Sequence, residues 1–157
     1  MMQVPTVTRS FEQADRALQQ LDVALRKRVV VSAARAAANV IKNEAKRRAP
    51  VRTGRLRMSI GISRVKEDKA PPGTVQFLVL PKSTITVRRT IRVDGEKTRT
   101  KFKLRSYHGL LLEFGTVKME ARPYLRPAAE ATTSEVTRAF IDKIHDGVEK
   151  QLAKTRR

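Results

Sequence analysis

Residues 107–128, YHGLLLEFGTVKMEARPYLRPA, constrain the fold more than any other stretch, because an apolar run, turn residues and prolines crowd together there. Leu110, Leu111, Leu112 and Phe114 read as a short buried segment, strand-like or a single helical turn, and Gly115 offers a residue able to take positive φ where that segment ends. Pro123 biases Arg122 towards an extended backbone, and Pro127 stands where a helix tolerates proline, in a first turn that also holds Glu130. An element, a loop and the start of a long helix therefore share about twenty residues, in keeping with the short connections of compact domains.

Periodicity supplies the remaining elements. Ser10 and Gln13 have capping-box spacing and predict a helix start at Ser10, carried forward by Ala14, Leu18, Leu21 and Leu25. A break is expected between 22 and 28, although no Gly or Pro marks it. From Val29 onward, Val30, Ala33, Ala37, Ile41 and Ala45 line one face of a second helix, which Pro50 stops at or just before Ala49. Its run Ala33, Ala34, Ala36, Ala37 and Ala38 suits core packing and a subunit interface equally, since small side chains let another backbone approach. After the turn Pro50-Val51-Arg52-Thr53-Gly54, Leu56, Met58, Ile60 and Ile62 alternate with other residues and predict a half-buried strand. Pro71-Pro72-Gly73 is a loop, and Val75, Phe77 and Val79 predict a second short strand before Pro81, so that a small antiparallel β-meander forms. At the far end Val136, Phe140, Ile144, Val148 and Leu152 recur every four residues and predict a long C-terminal helix beginning near Pro127. Gly147 is expected to weaken it, and Lys150, Lys154, Arg156 and Arg157 complement its dipole at the end. The expected fold class is α+β: two N-terminal helices, the meander with a long basic hairpin, and the long last helix, in a single domain over residues 1–157.

The hairpin is predicted over residues 83–105. Ile85, Val87, Ile91 and Val93 alternate with polar residues, Asp94-Gly95 is a two-residue turn signal, and Phe102 and Leu104 resume the alternation. With Asp94 and Gly95 at the tip, Val87 faces Phe102 and Ile85 faces Leu104, so both arms place their apolar positions on one face. The other face sets Arg88 opposite Lys101, Arg92 opposite Lys97 and Thr90 opposite Arg99, and like charges across a ladder repel. For any one of these residues a lysine-protected edge is the plainer reading. Nine basic residues against two acidic ones between 82 and 105 favour a contact surface for the group, with Arg88, Arg92, Lys97, Arg99 and Lys101 as partner or DNA contacts.

Charge is the strongest compositional signal: 34 Lys and Arg against 15 Asp and Glu give +19, more than solubility requires, and imply a polyanion or an acidic partner surface. The chain has no cysteine, which removes disulfides and thiolate metal sites, and a cytosolic origin is the simplest expectation. Its first residues carry no basic region followed by an apolar run, and no apolar stretch is long enough to span a bilayer, so it is read as neither secreted by that route nor membrane-spanning, and no membrane partner is expected. Chemistry is sparse. There is no phosphate-binding glycine loop or nucleophile elbow, and His108 and His145 have no partners at metal-ligand spacing, so no catalytic residue, metal or cofactor is expected. Glu113 reads as an ordinary ion-pair partner of a neighbouring arginine, and Asp15, Asp22, Asp142 and Asp146 as solvated helix faces. A free nucleic-acid-binding module is the rival reading; against it, the hairpin lacks interleaved Tyr or Trp and no recognition helix is apparent. A nuclease ranks third, with no acidic metal cluster in view.

Four blocks in order carry a resemblance. Ala45-Lys46, APVRTGRLRMSI at 49–60, LEFGT at 112–116 and ARPYLRPA at 121–128 are similar to the tail-component or neck (tail-completion) family of long-tailed, siphovirus-type bacteriophages, over roughly residues 30–150. Pro50, Thr53, Gly54, Leu56, Ser59 and Ile60 fill the family's Ala-Pro, Thr-Gly, Leu and Ser-Ile places. Glu113, Phe114, Gly115 and Thr116 fill the second block, and Arg122, Pro123, Tyr124, Leu125, Arg126 and Pro127 the last. Met119-Glu120-Ala121 stands where many relatives have a proline. The resemblance implies a non-enzymatic virion protein of the neck or tail, made in the host cytoplasm and assembling as a homo-oligomeric ring, expected to be a hexamer. Its implied partners are the head connector and the tail-tube or tail-terminator proteins, with genomic DNA passing through the lumen without sequence recognition.

Overall fold

A computed structural model describes residues 4–19, 21–93, 96–105 and 108–155; for 87–93 and 96–105 it defines backbone and pairing. The turn dipeptide Asp94-Gly95, Tyr107, Arg156 and Arg157 lie outside the described residues. The architecture is α+β. In chain order it comprises α1 (Val4–Gln19), α2 (Val23–Arg48), α3 (Arg55–Ser59), β1 (Ile60–Arg64), a 3-10 turn (Glu67–Lys69), β2 (Phe77–Pro81), β3 (Thr84–Val93), β4 (Glu96–Arg105), α4 (His108–Phe114), α5 (Leu125–Ala131) and α6 (Thr133–Thr155). Packing divides the chain into two compact units, 1–41 with 62–78 and 132–157, and 42–61 with 79–131.

The first unit is built on α1, the start of α2 and α6. Ala14, Leu18, Leu21, Val29, Ala33, Ile144 and Val148 form its buried core, with Leu25, Val30, Phe140 and Leu152 packed against them. Phe11 tilts against Phe140, ring centroids 6.3 Å apart. The apolar stripes read at helical spacing in the first and last helices thus meet each other. The helix starts differ from expectation. α1 begins at Val4, six residues ahead of the Ser10 capping box, because the only breaker upstream is Pro5, which sits in the first turn where a missing N–H costs no bond. α2 begins at Val23 rather than Val29, and the break falls between Gln19 and Val23. Arg26 explains how the chain breaks there without Gly or Pro. Its guanidinium donates to the carbonyl oxygens of Leu18 (3.1 Å) and Gln19 (3.4 Å) at the end of α1 and of Leu21 (3.4 Å) just after it, tying the break down.

Of the alanine run in α2, Ala33, Ala37 and Ala38 are buried within the chain and Ala34 and Ala36 are half-buried; Ala45, further along the helix, is buried as well. Pro50 ends the helix as expected, the last bond running from Ala49 N–H to Ala45 O. Basic residues Lys46, Arg47 and Arg48 occupy the last turn, where they complement the dipole. The Arg47 and Arg48 side chains bond Glu44 and hold its carboxyl below the ordinary value.

Three further expectations are corrected. Residues 55–59, read as the first half of a strand, form the one-turn helix α3, and only Ile60 onward is extended. The alternation of Leu56, Met58 and Ile60 misleads because Leu56, Ser59 and Ile60 also satisfy a helical spacing of three and four: Ser59 and Ile60 are buried, Leu56 packs on them, and Met58 faces solvent. The meander becomes two separate two-stranded sheets, β1 with β2 and β3 with β4. β1 and β2 run antiparallel, since Val65 N–H bonds Gln76 O and Lys82 N–H bonds Ser59 O, and Pro81 is the last residue of β2. The long C-terminal helix is present as α6 but begins at Thr133 rather than near Pro127: the short α5, in which Pro127 is the third residue, precedes it, and the buried Thr132 between them accepts the Val136 N–H at its carbonyl at 2.8 Å.

Gly147 is not a plain weak point of α6. A Cβ there would stand 2.7 Å from Val29 Cγ1, so the glycine is what lets α6 approach α2. Gly147→Ala would gain about 1 kcal/mol of helix propensity yet overpack a tight core at a cost of about 1–3 kcal/mol. The expected result is a net loss in urea unfolding. In a Val29→Ala background, where the obstructing methyl groups are gone, the same change is expected to stabilise. Stabilisation in both backgrounds would show that the approach to Val29 is not tight.

Candidate functional site

The second unit holds the junction. Its core is small: Ala45, Ala49, Ile60, Tyr124 and Ala128 are buried together, and Leu56, Val79, Leu112 and Leu125 pack on them. Within this frame α4 is wound the opposite way round from the expectation of a buried apolar run. Gly109 and Glu113 are its buried residues, whereas Leu110, Leu111 and Phe114 are exposed. On a helix, positions 109, 112 and 113 share one face and 110, 111 and 114 the other. The inward face is chosen by what it must touch. A Cβ on Gly109 would lie 2.4 Å from Pro81 Cβ and 3.2 Å from the Tyr124 hydroxyl, so only glycine allows the seat, and Tyr124 donates its hydroxyl hydrogen to Gly109 O at 3.2 Å.

Glu113 is the centre of the site. Its Oε2 accepts the backbone N–H groups of Tyr124 (2.8 Å) and Leu125 (2.9 Å), and its Oε1 accepts that of Arg126 (3.0 Å). The bonds are therefore to the backbone at the start of α5, in place of the ordinary arginine ion pair expected from sequence, with the Arg126 charge a further attraction. A carboxylate at a helix N-terminus occupies donors that the helix cannot satisfy itself. Burial pushes the Glu113 carboxyl up, but the N–H groups of Leu125, Tyr124 and Arg126, with the Arg126 charge, together outweigh it and hold the group below the ordinary value. The Tyr124 hydroxyl is pushed up to about 12, first by burial and then by the Glu113 charge, so it stays a neutral donor.

The loop after α4 is equally ordered. Gly115 takes φ +75°, its N–H bonds Leu111 O at 2.8 Å, and Arg122 N–H bonds Leu112 O at 2.7 Å. Thr116 and Met119 form an antiparallel bridge with N–H to O distances of 2.8 and 3.2 Å, and Lys118 N–H bonds Thr116 Oγ1 at 3.3 Å.

Of the motif residues, the structure brings Glu113, Leu125 and Arg126 into direct contact and sets Leu56 and Leu125 on one core. Gly115 and Thr116 shape the loop, with Pro123 exposed just ahead of α5 and Pro127 within that helix. Pro50 and Thr53 are exposed in the connection between α2 and α3, and Gly54 takes φ +72° at the start of α3. Arg57 reaches from α3 to the carbonyls of Arg47 (3.3 Å) and Ala49 (3.4 Å), capping α2. Arg57, Gly109 and Tyr124's buried hydroxyl bond were not singled out from sequence. The lone aromatic within ARPYLRPA was the available signal for the last, since a buried tyrosine needs a hydrogen-bond partner.

The hairpin register agrees with the reading of residues 83–105. Val87 pairs with Phe102, Ile85 with Leu104, Arg88 with Lys101, Arg92 with Lys97 and Thr90 with Arg99, and the pair Val93–Glu96 leaves two residues for the turn. The strands have 10 residues each, which at about 3.3 Å per residue is about 30 Å of ribbon.

Among the described residues, no group of three or more His, Cys, Asp or Glu is placed to hold a metal ion, and no helix is long and apolar enough to cross a membrane. Residues 12–115 match the sequence model of the HK97-gp10-like family, described as "Bacteriophage HK97-gp10, putative tail-component". The matched span includes the APVRTGRLRMSI block and most of LEFGT and stops ahead of ARPYLRPA. Neither a curated protein nor a solved structure matches the chain significantly.

Proposed function

We propose, from the premise that this chain belongs to the HK97-gp10-like family of bacteriophage tail components, that it is a non-enzymatic tail-completion protein of the neck. In this reading it forms a homo-oligomeric ring, a hexamer, that joins the head connector to the tail tube or its terminator and surrounds the path of the DNA. The observation that carries the proposal is the β3–β4 ladder, which holds Arg88 against Lys101 and Arg92 against Lys97. Like charges at directly paired positions repel, and an acidic or polyanionic partner lying against the ladder would offset that repulsion. In a ring, every one of these charges is multiplied by the subunit count, which suits contact with an acidic neighbour or a phosphate backbone and carries no base-reading capacity. A protein contact close to the DNA is the favoured form, because a conduit that gripped DNA tightly would hinder ejection.

Deleting the gene is expected to leave DNA-filled heads and separate tails that do not join, as seen by electron microscopy; joined, infectious virions would overturn the proposal. Supplying the protein with Arg88, Arg92, Lys97, Arg99 and Lys101 all changed to glutamine is expected to give a folded chain that fails to dock. Were that variant instead to dock but lose DNA, with a weaker salt dependence of DNA binding by its rings, the contact would be to phosphate. A variant that docks, retains DNA and infects like the parent would make the hairpin charge solvated surface. The +19 charge also fits a free nucleic-acid-binding protein; that second reading requires the chain to be absent from purified virions.

A further inference from the structure

The outward face of α4 and the loop that follows it carry apolar side chains that, among the described residues, are left exposed. Phe114 is 69% exposed, Leu110 54%, and Val117, at the tip of the bridged turn, is fully exposed at 107%. Leu111 and Met119 are exposed beside them. Leu110, Leu111 and Phe114 share one helical face, and the loop folds back against the end of α4, with Met119 O 3.0 Å from where a Gly115 Cβ would stand. Scattered apolar residues on a surface need no explanation, but five exposed apolar side chains within ten residues, three of them on one helix face, point to a contact.

Its backbone is already ordered. The Thr116–Met119 bridge and the Lys118 N–H bond to Thr116 Oγ1 hold Val117 and Lys118 at the tip, so little conformational freedom remains to be lost on docking. Charge identifies the occupant. Within residues 110–126, the segment that holds the apolar group, the exposed charged residues are Lys118, Arg122 and Arg126 against the single acid Glu120, while Glu113 is buried with both oxygens occupied. A second copy seated face to face would bring the same cations to the same rim, so the complement of this patch is an apolar surface edged with acids.

We propose that Leu110, Leu111, Phe114, Val117 and Met119, rimmed by Lys118, Arg122 and Arg126, dock a different virion protein whose surface there is apolar with an acidic rim. This rests on the tail-component function for the statement that the partner belongs to the virion. The Val117-Lys118 tip seats an isopropyl group in the partner's apolar depression and an ammonium on its edge, and the Phe114 ring is the main anchor.

The test uses the full chain in particles. A photo-crosslinking phenylalanine derivative replaces Val117, or in a parallel strain Met119, and purified virions are irradiated and analysed by mass spectrometry. Crosslinks to one other virion protein, at an apolar residue flanked by Asp or Glu, are expected. Crosslinks to copies of this chain, to DNA, or to nothing, with the chain present in the particle, overturn the docking inference and leave the tail function standing; absence of the parent chain from virions sinks the tail function itself. In a second arm, Phe114→Glu and the double change Lys118→Glu with Arg122→Glu are each expected to leave the thermal midpoint unchanged and to cut incorporation into virions at least tenfold. Incorporation within twofold of the parent for Phe114→Glu overturns the apolar contact, and the same result for the double change overturns the acidic rim.

Discussion

Glu113→Ala is expected to lower the unfolding free energy by about 3 kcal/mol or more. The change leaves the N–H groups of Tyr124, Leu125 and Arg126 without their acceptor at a site where Tyr124 is 1% exposed. Hydrogen bonds to a charged group contribute about 1.5–3 kcal/mol each, and loss of an ordinary helix cap about 1 kcal/mol. Water reaching the more exposed donors lowers the sum, which is why the expected total is below three full bonds. Glu113→Gln keeps one acceptor oxygen but turns an amide NH2 towards a donor, so it should fall between the parent and Glu113→Ala. Urea unfolding at pH 7 measures all three, with an unchanged m value showing that the same surface is exposed.

Acid supplies an independent check. The Glu113 carboxyl is held below its ordinary value of 4.5 in the folded protein. A depressed folded value means that the contribution is fully present above the unfolded value and is lost as pH falls through the folded one. The advantage of the parent over Glu113→Gln should therefore hold from neutrality down to about pH 4.5 and shrink below it. A loss under 1 kcal/mol for Glu113→Ala, or an advantage over glutamine that does not change with acid, would show that the clamp does not hold α5.

Gly115→Val is expected to cost about 3 kcal/mol, and Gly54→Val about 1–2 kcal/mol, although both glycines occupy the same left-handed region. Their φ values are +75° and +72°, so a β-branched residue meets a similar backbone penalty at each. The surroundings differ. A Cβ at Gly54 meets nothing within 4 Å, whereas one at Gly115 lies 2.9 Å from Ala121 N and 3.0 Å from Met119 O, both backbone atoms that cannot swing aside. Gly115→Val must open the bridged loop as well as strain the turn. Equal losses at the two positions, read from urea midpoints, would reduce Gly115 to an ordinary turn glycine and remove the close packing of the 116–121 loop on it.

The hairpin was legible to the residue because its information is local. A period of two along each arm and a two-residue turn leave a single register that keeps Ile85, Val87, Phe102 and Leu104 in line, and the observed pairing is that one. The apolar stripes of the first and last helices were legible for a similar reason: Leu18 and Ile144 recur with their neighbours at helical spacing whatever lies beside them. Helix ends were less so. The break after Gln19 depends on Arg26 folding back onto carbonyls up to eight residues away, a side-chain position no spacing rule encodes.

The sequence by itself determined the α+β class, the family and the places where the chain must turn, since glycine at positive φ, proline without an N–H and the two periodicities act within a few residues. The tertiary structure alone decided what the junction is for. Four apolar residues among the five at 110–114 look like core in one dimension, but a short helix has two faces. Glycine at 109 and the carboxylate at 113 take the inner one, because only they fit against Pro81 and satisfy the start of α5. The partners of Glu113 are backbone N–H groups, which every residue but proline possesses, so no residue type announces them. Once they claim the inner face, Leu110, Leu111 and Phe114 are turned outward, and an apolar run that composition assigns to the interior becomes surface.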